Sequence, residues 1–176
     1  MFESSLIFRF PAAESRDLIL GTLELTPRDP LQEMSSPLSL SSPRKRGSTL
    51  WTATSGLPRY QRFGDYLLRA KGPIPSTNAL LAHNSPYRVS TQSLLVSKRG
   101  IEGPFFPIIP GFISLDFRDG LFIHRDGFGI HFDANVPGSI GCIVLTKHPE
   151  FADFIQTMAD FHLRGITALP LEVIYV

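Results

Sequence analysis

The residues best suited to chemistry lie in one short stretch, which reads LFIHRDGFGIHFDANVPGSIGCIVL from Leu121 to Leu145. It holds the only cysteine of the chain, Cys142, and two of the five histidines, His124 and His131. A cysteine attacks a carbonyl carbon as the thiolate, and at an ordinary pKa of about 8.5 it needs a nearby imidazole or oriented amides to ionise near neutral pH. The stretch therefore predicts acyl transfer with Cys142 as the nucleophile.

The residues just before the cysteine are typical of a tight turn. Gly138 and Gly141 permit backbone conformations that other residues avoid, so backbone N–H groups are expected to converge there on the oxyanion of an acyl transfer. Gly141 is assigned to this turn as a catalytic element. Ser139 is predicted either to hydrogen-bond the imidazole or the substrate, or to stabilise the turn.

Two histidines compete for the role of general base. His131 lies eleven positions before Cys142 and His124 lies eighteen before it, and both fall on predicted strands. Asp133 is a possible accessory residue, because positions i and i+2 of a strand share a face and its carboxylate could orient His131. Arg125 is a candidate anchor for a substrate carboxylate, because a planar guanidinium pairs with carboxylate in bidentate fashion.

The pattern along the rest of the chain predicts a mainly β scaffold for these residues. From Leu50 onward, short apolar segments alternate with turns that contain Gly or Pro, which is typical of a sandwich or barrel. The alternation of polar and apolar residues over residues 22–25 predicts an early strand. Apolar residues at every second position from 169 to 175 predict a closing strand.

One segment has helical rather than strand periodicity. Its apolar residues recur three or four positions apart: Phe151, Phe154, Ile155, Met158 and Phe161. A proline at the start and a glycine after the end predict one amphipathic helix from Pro149 to Arg164, packed against the sheet. By contrast, residues 35–49 read SSPLSLSSPRKRGST, which predicts a flexible, exposed loop that is easily cut by proteases.

Size and composition limit the possible functions. The 176 residues suit a single domain, residues 1–176, with one sizeable core. Seventeen Lys and Arg against sixteen Asp and Glu leave a net charge of +1, which argues against a nucleic-acid partner. A single cysteine closes no disulfide within the chain, and no Cys/His cluster has the spacing of a metal site, so neither metal nor cofactor is predicted.

The stretch resembles the catalytic domain of YkuD-type L,D-transpeptidases, whose signature is a histidine on a strand followed by Ser/Thr-His-Gly-Cys. Residues 139–142, Ser-Ile-Gly-Cys, match three of these four positions, with Ile140 in place of the second histidine. The resemblance is closer to the short-loop branch, where Arg-x-x-Phe-x-Ile-His leads into Pro-Gly-Ser/Thr-x-Gly-Cys-Ile. Residues 125–131 and 137–143 match these two segments, and the likeness extends over roughly Leu18 to Val176.

The resemblance implies a YkuD-like β-sandwich whose partners are peptidoglycan stem peptides. Cys142 would attack the bond between diaminopimelate and D-alanine of a tetrapeptide stem, and an amine, water or a free D-amino acid would resolve the thioester. The resemblance favours His131 as the base, because its neighbours match the short-loop branch. Residues 76–80 lack the Gly-Thr-aromatic strand that the branch has at this place.

Two other functions stay open. The site could run as an L,D-carboxypeptidase or endopeptidase, because thioester chemistry does not choose between water and an amine. Alternatively, the chain could be a catalytically silent wall-binding module in which Cys142 is only a small buried hydrophobic residue.

The apolar segments of the chain bear on membrane insertion and export. The most apolar region, Pro104 to Phe117, is interrupted by prolines and is shorter than the roughly 18 residues of a membrane-spanning helix, so no membrane span is predicted. The first residues, MFESSLIFRFP, lack the basic start of a secretory signal. The expectation is a protein that acts on the bacterial cell wall if it is exported, and that is otherwise cytoplasmic.

Overall fold

A computed structural model of the protein describes residues 4–26, 48–80, 84–118, 120–134 and 136–176. These residues form eleven strands, one α-helix, α1 (His148–Leu163), and two short 3-10 helices, Asp65–Leu67 and Thr77–Ala79. The strands in chain order are β1 (Ser5–Phe10), β2 (Gly21–Thr26), β3 (Thr49–Thr54), β4 (Arg88–Ser90), β5 (Leu94–Lys98), β6 (Ile101–Ile109), β7 (Phe112–Arg118), β8 (Leu121–Asp126), β9 (Gly129–Phe132), β10 (Ile143–Leu145) and β11 (Ala168–Tyr175). The predicted mainly β character and the single helix near the C-terminus are confirmed. The predicted loop at residues 35–49 lies, up to residue 47, outside the described residues.

The strands form a barrel-like sheet of eight strands. They follow one another in the order β4, β11, β1, β2, β3, β10, β9 and β6, and a pairing of β4 with β6 closes the circuit. β5 extends this sheet beyond β6. The expected two-layer sandwich is not confirmed, because the sheet closes on itself through β4 and β6 and so leaves fewer strand edges unpaired.

The core fills the interior of this sheet. Every second residue of β1 is buried, namely Leu6, Phe8 and Phe10. The parallel register places Leu6 beside Leu171 and Phe8 beside Val173 of β11. Such alternation is what a strand with one buried face requires. The early and closing strands predicted from alternation correspond to β2 and β11.

The helix α1 packs with its apolar stripe against the sheet. Phe151, Phe154, Met158 and Phe161 are buried, and Pro149 stands in the first helical turn, as predicted. The Phe154 ring makes edge contacts with the rings of Trp51 and Phe106, at 5.2 Å between centroids in each case. The helix contacts β3, β9 and β10, so it supports the strand that carries His131 and the strand that follows Cys142.

The strands β7 and β8 form a separate hairpin that leaves the sheet between β6 and β9. Its base is closed by a hydrogen bond from the Gly127 N–H to the Gly111 carbonyl, 3.2 Å long. The chain returns from this hairpin directly into β9, so the base of the hairpin lies next to the candidate site.

Candidate active site

A cavity of about 450 Å³ opens beside β9 and the turn that precedes β10. Its wall consists of residues 98–101, 126–128 and 138–140 together with Leu57, His131, Val136 and Cys142. The structure therefore brings the predicted nucleophile, the preferred base and the predicted turn to one cavity. Lys98, Arg99 and Asp126 complete its charged lining, and the sequence analysis did not identify them.

Strand pairing brings Cys142 and His131 to the same wall. β9 and β10 are parallel neighbours with Ile130 opposite Ile143, so Cys142 lies beside Gly129. Gly129 and His131 share a face of β9, because alternate residues of a strand point the same way. Strands about 4.8 Å apart, with a rise of about 3.3 Å per residue, separate such diagonal neighbours by about 8 Å at Cα, which is within side-chain reach.

His131 is held as a neutral imidazole with a defined orientation. Its Nδ1 lies 2.8 Å from the carbonyl oxygen of Phe132, and because a carbonyl only accepts, Nδ1 carries the proton and Nε2 is left as the acceptor. The ring is stacked on Phe105 at 6.1 Å. Burial lowers the pKa of His131, against the opposing effect of the Phe132 carbonyl, and the nearby Lys98 charge lowers it further. A neutral imidazole of this tautomer is able to accept a proton at Nε2.

The Phe105 ring that orders the imidazole also covers Gly129. A Cβ at residue 129 would lie 2.2 Å from Cζ of this ring, so the ring and the backbone of β9 approach each other too closely for any larger residue. The glycine therefore allows Phe105 to occupy the position beside His131. No local pattern in the sequence indicates this contact, because β6 and β9 are separated along the chain by the hairpin of β7 and β8.

Cys142 is a buried, neutral thiol in the resting protein. It is 6% exposed, and burial raises its pKa to about 11, although the Gly129 N–H and the charges of Lys98 and Arg125 lower it. Its Sγ lies 3.6 Å from the Gly127 carbonyl oxygen. Within the part of the chain that the structure describes, the thiol and the His131 imidazole thus hydrogen-bond to backbone carbonyls and not to each other. Any attack by this thiol on a carbonyl carbon therefore requires the loss of its proton.

Ser139 stabilises the turn before the cysteine. Its hydroxyl donates to the Cys142 carbonyl at 2.5 Å and accepts from the Gly141 N–H at 3.3 Å, while its own N–H donates to the Gly56 carbonyl at 3.1 Å. Of the roles weighed from the sequence, these contacts favour turn stabilisation. The backbone N–H groups of Ser139 and Gly141 are thus already hydrogen-bonded within the protein.

Gly141 is required by the packing beneath this turn. It has a φ of +127°, and a Cβ there would lie 2.4 Å from Nη2 of Arg125 and 2.8 Å from the Phe128 ring. A side chain at residue 141 would strain the backbone and displace the guanidinium. Gly141 therefore acts on the site by allowing the turn to lie directly on Arg125.

Arg125 lies under the turn and is absent from the cavity wall. It is 3% exposed, and its guanidinium donates to four backbone carbonyls, those of Tyr66, Gly72, Pro73 and Ile140, at 2.6 to 3.0 Å. A guanidinium has five N–H donors, so four of them are already engaged. This geometry favours a structural role over the carboxylate-binding role expected for Arg125.

The two accessory candidates lie outside the cavity wall. His124 is exposed on β8, where its Nδ1 lies 2.9 Å from the Ser114 hydroxyl and its ring is stacked on Phe112 at 5.1 Å. The Asp133 carboxyl accepts the Gly138 N–H, and burial raises its pKa against the effect of this hydrogen bond. The orienting contact of His131 comes from the Phe132 carbonyl instead of Asp133.

The described residues contain neither a cluster suited to a metal ion nor a helix suited to a membrane. Among the described residues, no three or more His, Cys, Asp or Glu side chains are grouped so that they could hold a metal ion. None of the helices in the described ranges combines the length and the apolar character that crossing a membrane requires.

Comparison of the chain with protein-family models, with curated proteins and with solved structures gives no match. The features of this chain that bear on function are therefore the geometry of the cavity and the short motif around Cys142.

Proposed function

We propose that the protein is a cysteine acyltransferase of the L,D-transpeptidase kind, acting on peptidoglycan stem peptides. The observation that carries the proposal is that Cys142 and His131 line the same cavity, His131 on β9 and Cys142 at the end of the turn that leads into the parallel neighbour β10. The nature of the substrate comes from the resemblance of residues 125–131 and 137–143 to the short-loop branch. The cavity of about 450 Å³ falls within the size range typical of small-ligand sites.

The acylation step follows from the protonation states of the two residues. Sγ of Cys142 transfers its proton to Nε2 of His131 and attacks the diaminopimelate carbonyl carbon of the diaminopimelate–D-alanine bond. The tetrahedral intermediate collapses with cleavage of the C–N bond, and the imidazolium gives its proton to the leaving amine of D-alanine. The product is a thioester on Cys142.

The second step regenerates the enzyme. An amine attacks the thioester carbonyl, His131 accepts the proton of that amine, and the C–S bond breaks. The leaving thiolate then takes the proton back from the imidazolium. Water in place of the amine gives the free acid, so the same residues support hydrolysis by a carboxypeptidase or endopeptidase.

Burial of the thiol affects how this reaction begins. The raised pKa of Cys142 and the lowered pKa of His131 both favour a neutral pair over a thiolate–imidazolium pair at neutral pH. Proton transfer therefore coincides with attack on a bound donor instead of preceding it. Since the amides of Ser139 and Gly141 are engaged, the N–H of Cys142 itself is our candidate donor to the oxyanion.

The proposal is tested with synthetic tetrapeptide stems and intact-protein mass spectrometry. The wild-type protein is expected to gain the mass of the stem minus D-alanine, and Cys142→Ala is expected to gain nothing while keeping its fold. Analysis of the small products then distinguishes cross-linked dimers from trimmed stems. Absence of any thioester, with either diaminopimelate or lysine stems, would refute the proposal.

A catalytically silent wall-binding module remains the second candidate, and it is favoured by the burial and raised pKa of the Cys142 thiol. Such a module would bind stems or whole peptidoglycan without forming a thioester. Alkylation of the thiol at neutral pH does not separate the two candidates, because the resting thiol is protonated in both. Binding of stems without any mass change on Cys142 would favour the module.

A further inference from the structure

The turn between β5 and β6 forms a cationic rim on the cavity, made of Lys98 and Arg99. Strand pairing ends with Lys98 opposite Ile101, so Arg99 and Gly100 form the tip of this hairpin. Both cationic side chains are exposed. The cationic rim therefore faces both the solvent and the cavity that holds Cys142.

The charges of this rim are not neutralised within the described part of the protein. Among the ion pairs formed there, none includes Lys98 or Arg99. The cavity wall carries these two cations and one carboxylate, that of Asp126. The Lys98 charge is also close enough to the reacting groups to lower the pKa of both Cys142 and His131.

A comparison with the other arginine of the site indicates what the rim can bind. The Arg125 guanidinium is buried and donates to four backbone carbonyls. Lys98 and Arg99 have exposed donors beside the cavity, and an ammonium and a guanidinium together suit a carboxylate. An anionic ligand group placed here would be within the same cavity as the nucleophile.

We infer that Lys98 and Arg99 bind a free carboxylate of the acyl-donor peptide and so place its scissile bond at Cys142. The inference rests on the proposed function and specifies how its substrate is recognised. Two carboxylates of a tetrapeptide stem flank the scissile bond, one on the terminal D-alanine and one on the far end of diaminopimelate. Both have the same chemistry, and the experiment distinguishes them.

The experiment measures binding separately from catalysis. Calorimetric titrations use the Cys142→Ala protein with three synthetic tetrapeptide stems: the free acid, the D-alanine carboxamide and the diaminopimelate carboxamide. Each stem is titrated into this protein and into versions that also carry Lys98→Gln with Arg99→Gln, or Arg118→Gln. Arg118 is the matched control, because it is an exposed arginine at the end of β7 that is remote from Gly127 and the cavity.

The double substitution at the rim is expected to weaken binding of the free acid at least about tenfold, since hydrogen bonds to charged groups are among the stronger polar contacts. Arg118→Gln is expected to leave it unchanged. One of the two carboxamide stems should bind the protein with an intact rim as weakly as the free acid binds the double variant. The affinity of that stem should not change when Lys98 and Arg99 are substituted. That stem identifies the carboxylate that the rim recognises.

The inference is overturned if the free acid binds the double variant as well as it binds the control, if neither carboxamide weakens binding, or if no stem binds. Thioester formation by the protein with Cys142 intact is scored separately by mass spectrometry. A thioester together with charge-insensitive binding overturns the rim site and leaves the proposed function standing. Charge-dependent binding without a thioester supports the rim site and overturns the acyltransferase.

Discussion

The cavity has two unlike sides, the turn of residues 138–142 and the cationic rim. In the turn, the residue Ser139 is only 8% exposed, and its hydroxyl makes its hydrogen bonds within the protein. At the rim, Lys98 and Arg99 are exposed and form no ion pair among the described residues. One side is therefore ordered by its own hydrogen bonds, while the other leaves its charges available to a ligand.

The contrast shows that residue type alone does not assign a role. Arg125 and Arg99 carry the same guanidinium, yet the first stabilises the turn from below and the second faces the cavity. Burial decides between these roles, because a buried guanidinium must have its donors satisfied by the protein.

The largest effect on activity is expected for the base. His131→Ala should slow thioester formation by about 10²- to 10⁴-fold, because a positioned acid/base residue contributes this much. His124→Ala is the matched control and should have little effect, since its imidazole contacts Ser114 and Phe112 on the separate hairpin. The rates are measured by quenched-flow mass spectrometry. Equal losses in both variants would contradict the assignment of His131.

The largest effect on stability is expected for Arg125. Arg125→Gln should lower the free energy of unfolding by at least about 3 kcal/mol, because it leaves several buried carbonyls without a donor. Urea denaturation followed by tryptophan fluorescence provides the measurement. Lys98→Gln with Arg99→Gln serves as the comparison and should change this free energy little. An equally stable Arg125→Gln protein would mean that the guanidinium is not structural.

A smaller loss of stability is expected from the hydroxyl of the turn. Ser139→Ala removes the donor to the Cys142 carbonyl and the acceptor of the Gly141 N–H, so the free energy of unfolding should fall by about 1–3 kcal/mol. Ser97→Ala, an exposed serine of β5, is the control and should be neutral within about 0.5 kcal/mol. Paired urea melts of the two variants measure the difference. A stability loss no larger than that of the control would exclude the turn role of Ser139.

The smallest effect is expected on the reactivity of the Cys142 thiol, and it links the turn with the cationic rim. The alkylation rate of Cys142 by iodoacetamide should rise with pH toward a midpoint near the pKa of about 11. Because the Lys98 charge lowers this pKa, Lys98→Gln should raise it and slow alkylation about twofold at pH 9, the scale of an exposed charge. Arg118→Gln should not change the rate. A faster rate in Lys98→Gln would reverse the predicted sign.

Parts of this structure with a local periodic signal could be predicted from the sequence. The helical spacing from Phe151 to Phe161 predicted α1, and alternation after residue 168 predicted β11. The clustering of Cys142 with His131 was visible because β9 and the turn are close in the chain. In each case, neighbours in the sequence are also neighbours in space.

The features that depend on distant pairing were not predicted. Closure of the sheet through β4 and β6 leaves no local pattern, and β1 was overlooked although its residues alternate. Burial of Arg125 depends on carbonyls more than fifty residues away in the chain, at Tyr66, Gly72 and Pro73. The rim was not predicted because Lys98 and Arg99 have no local pattern that distinguishes them from other charged residues. The pairing of β6 with β9 is what brings their hairpin to the cavity.

The parallel register of β9 and β10 has a consequence for how such a site can diverge. The separation between the His131 imidazole and the Cys142 thiol is determined by the hydrogen-bonded pairing of β9 and β10, and not by the length of the backbone that connects them. The segment before the fixed turn, residues 133–137, can therefore gain or lose length without altering the reach of the His131 imidazole to the Cys142 thiol. Two proteins with very different intervals between histidine and cysteine could therefore hold the imidazole and the thiol at the same separation.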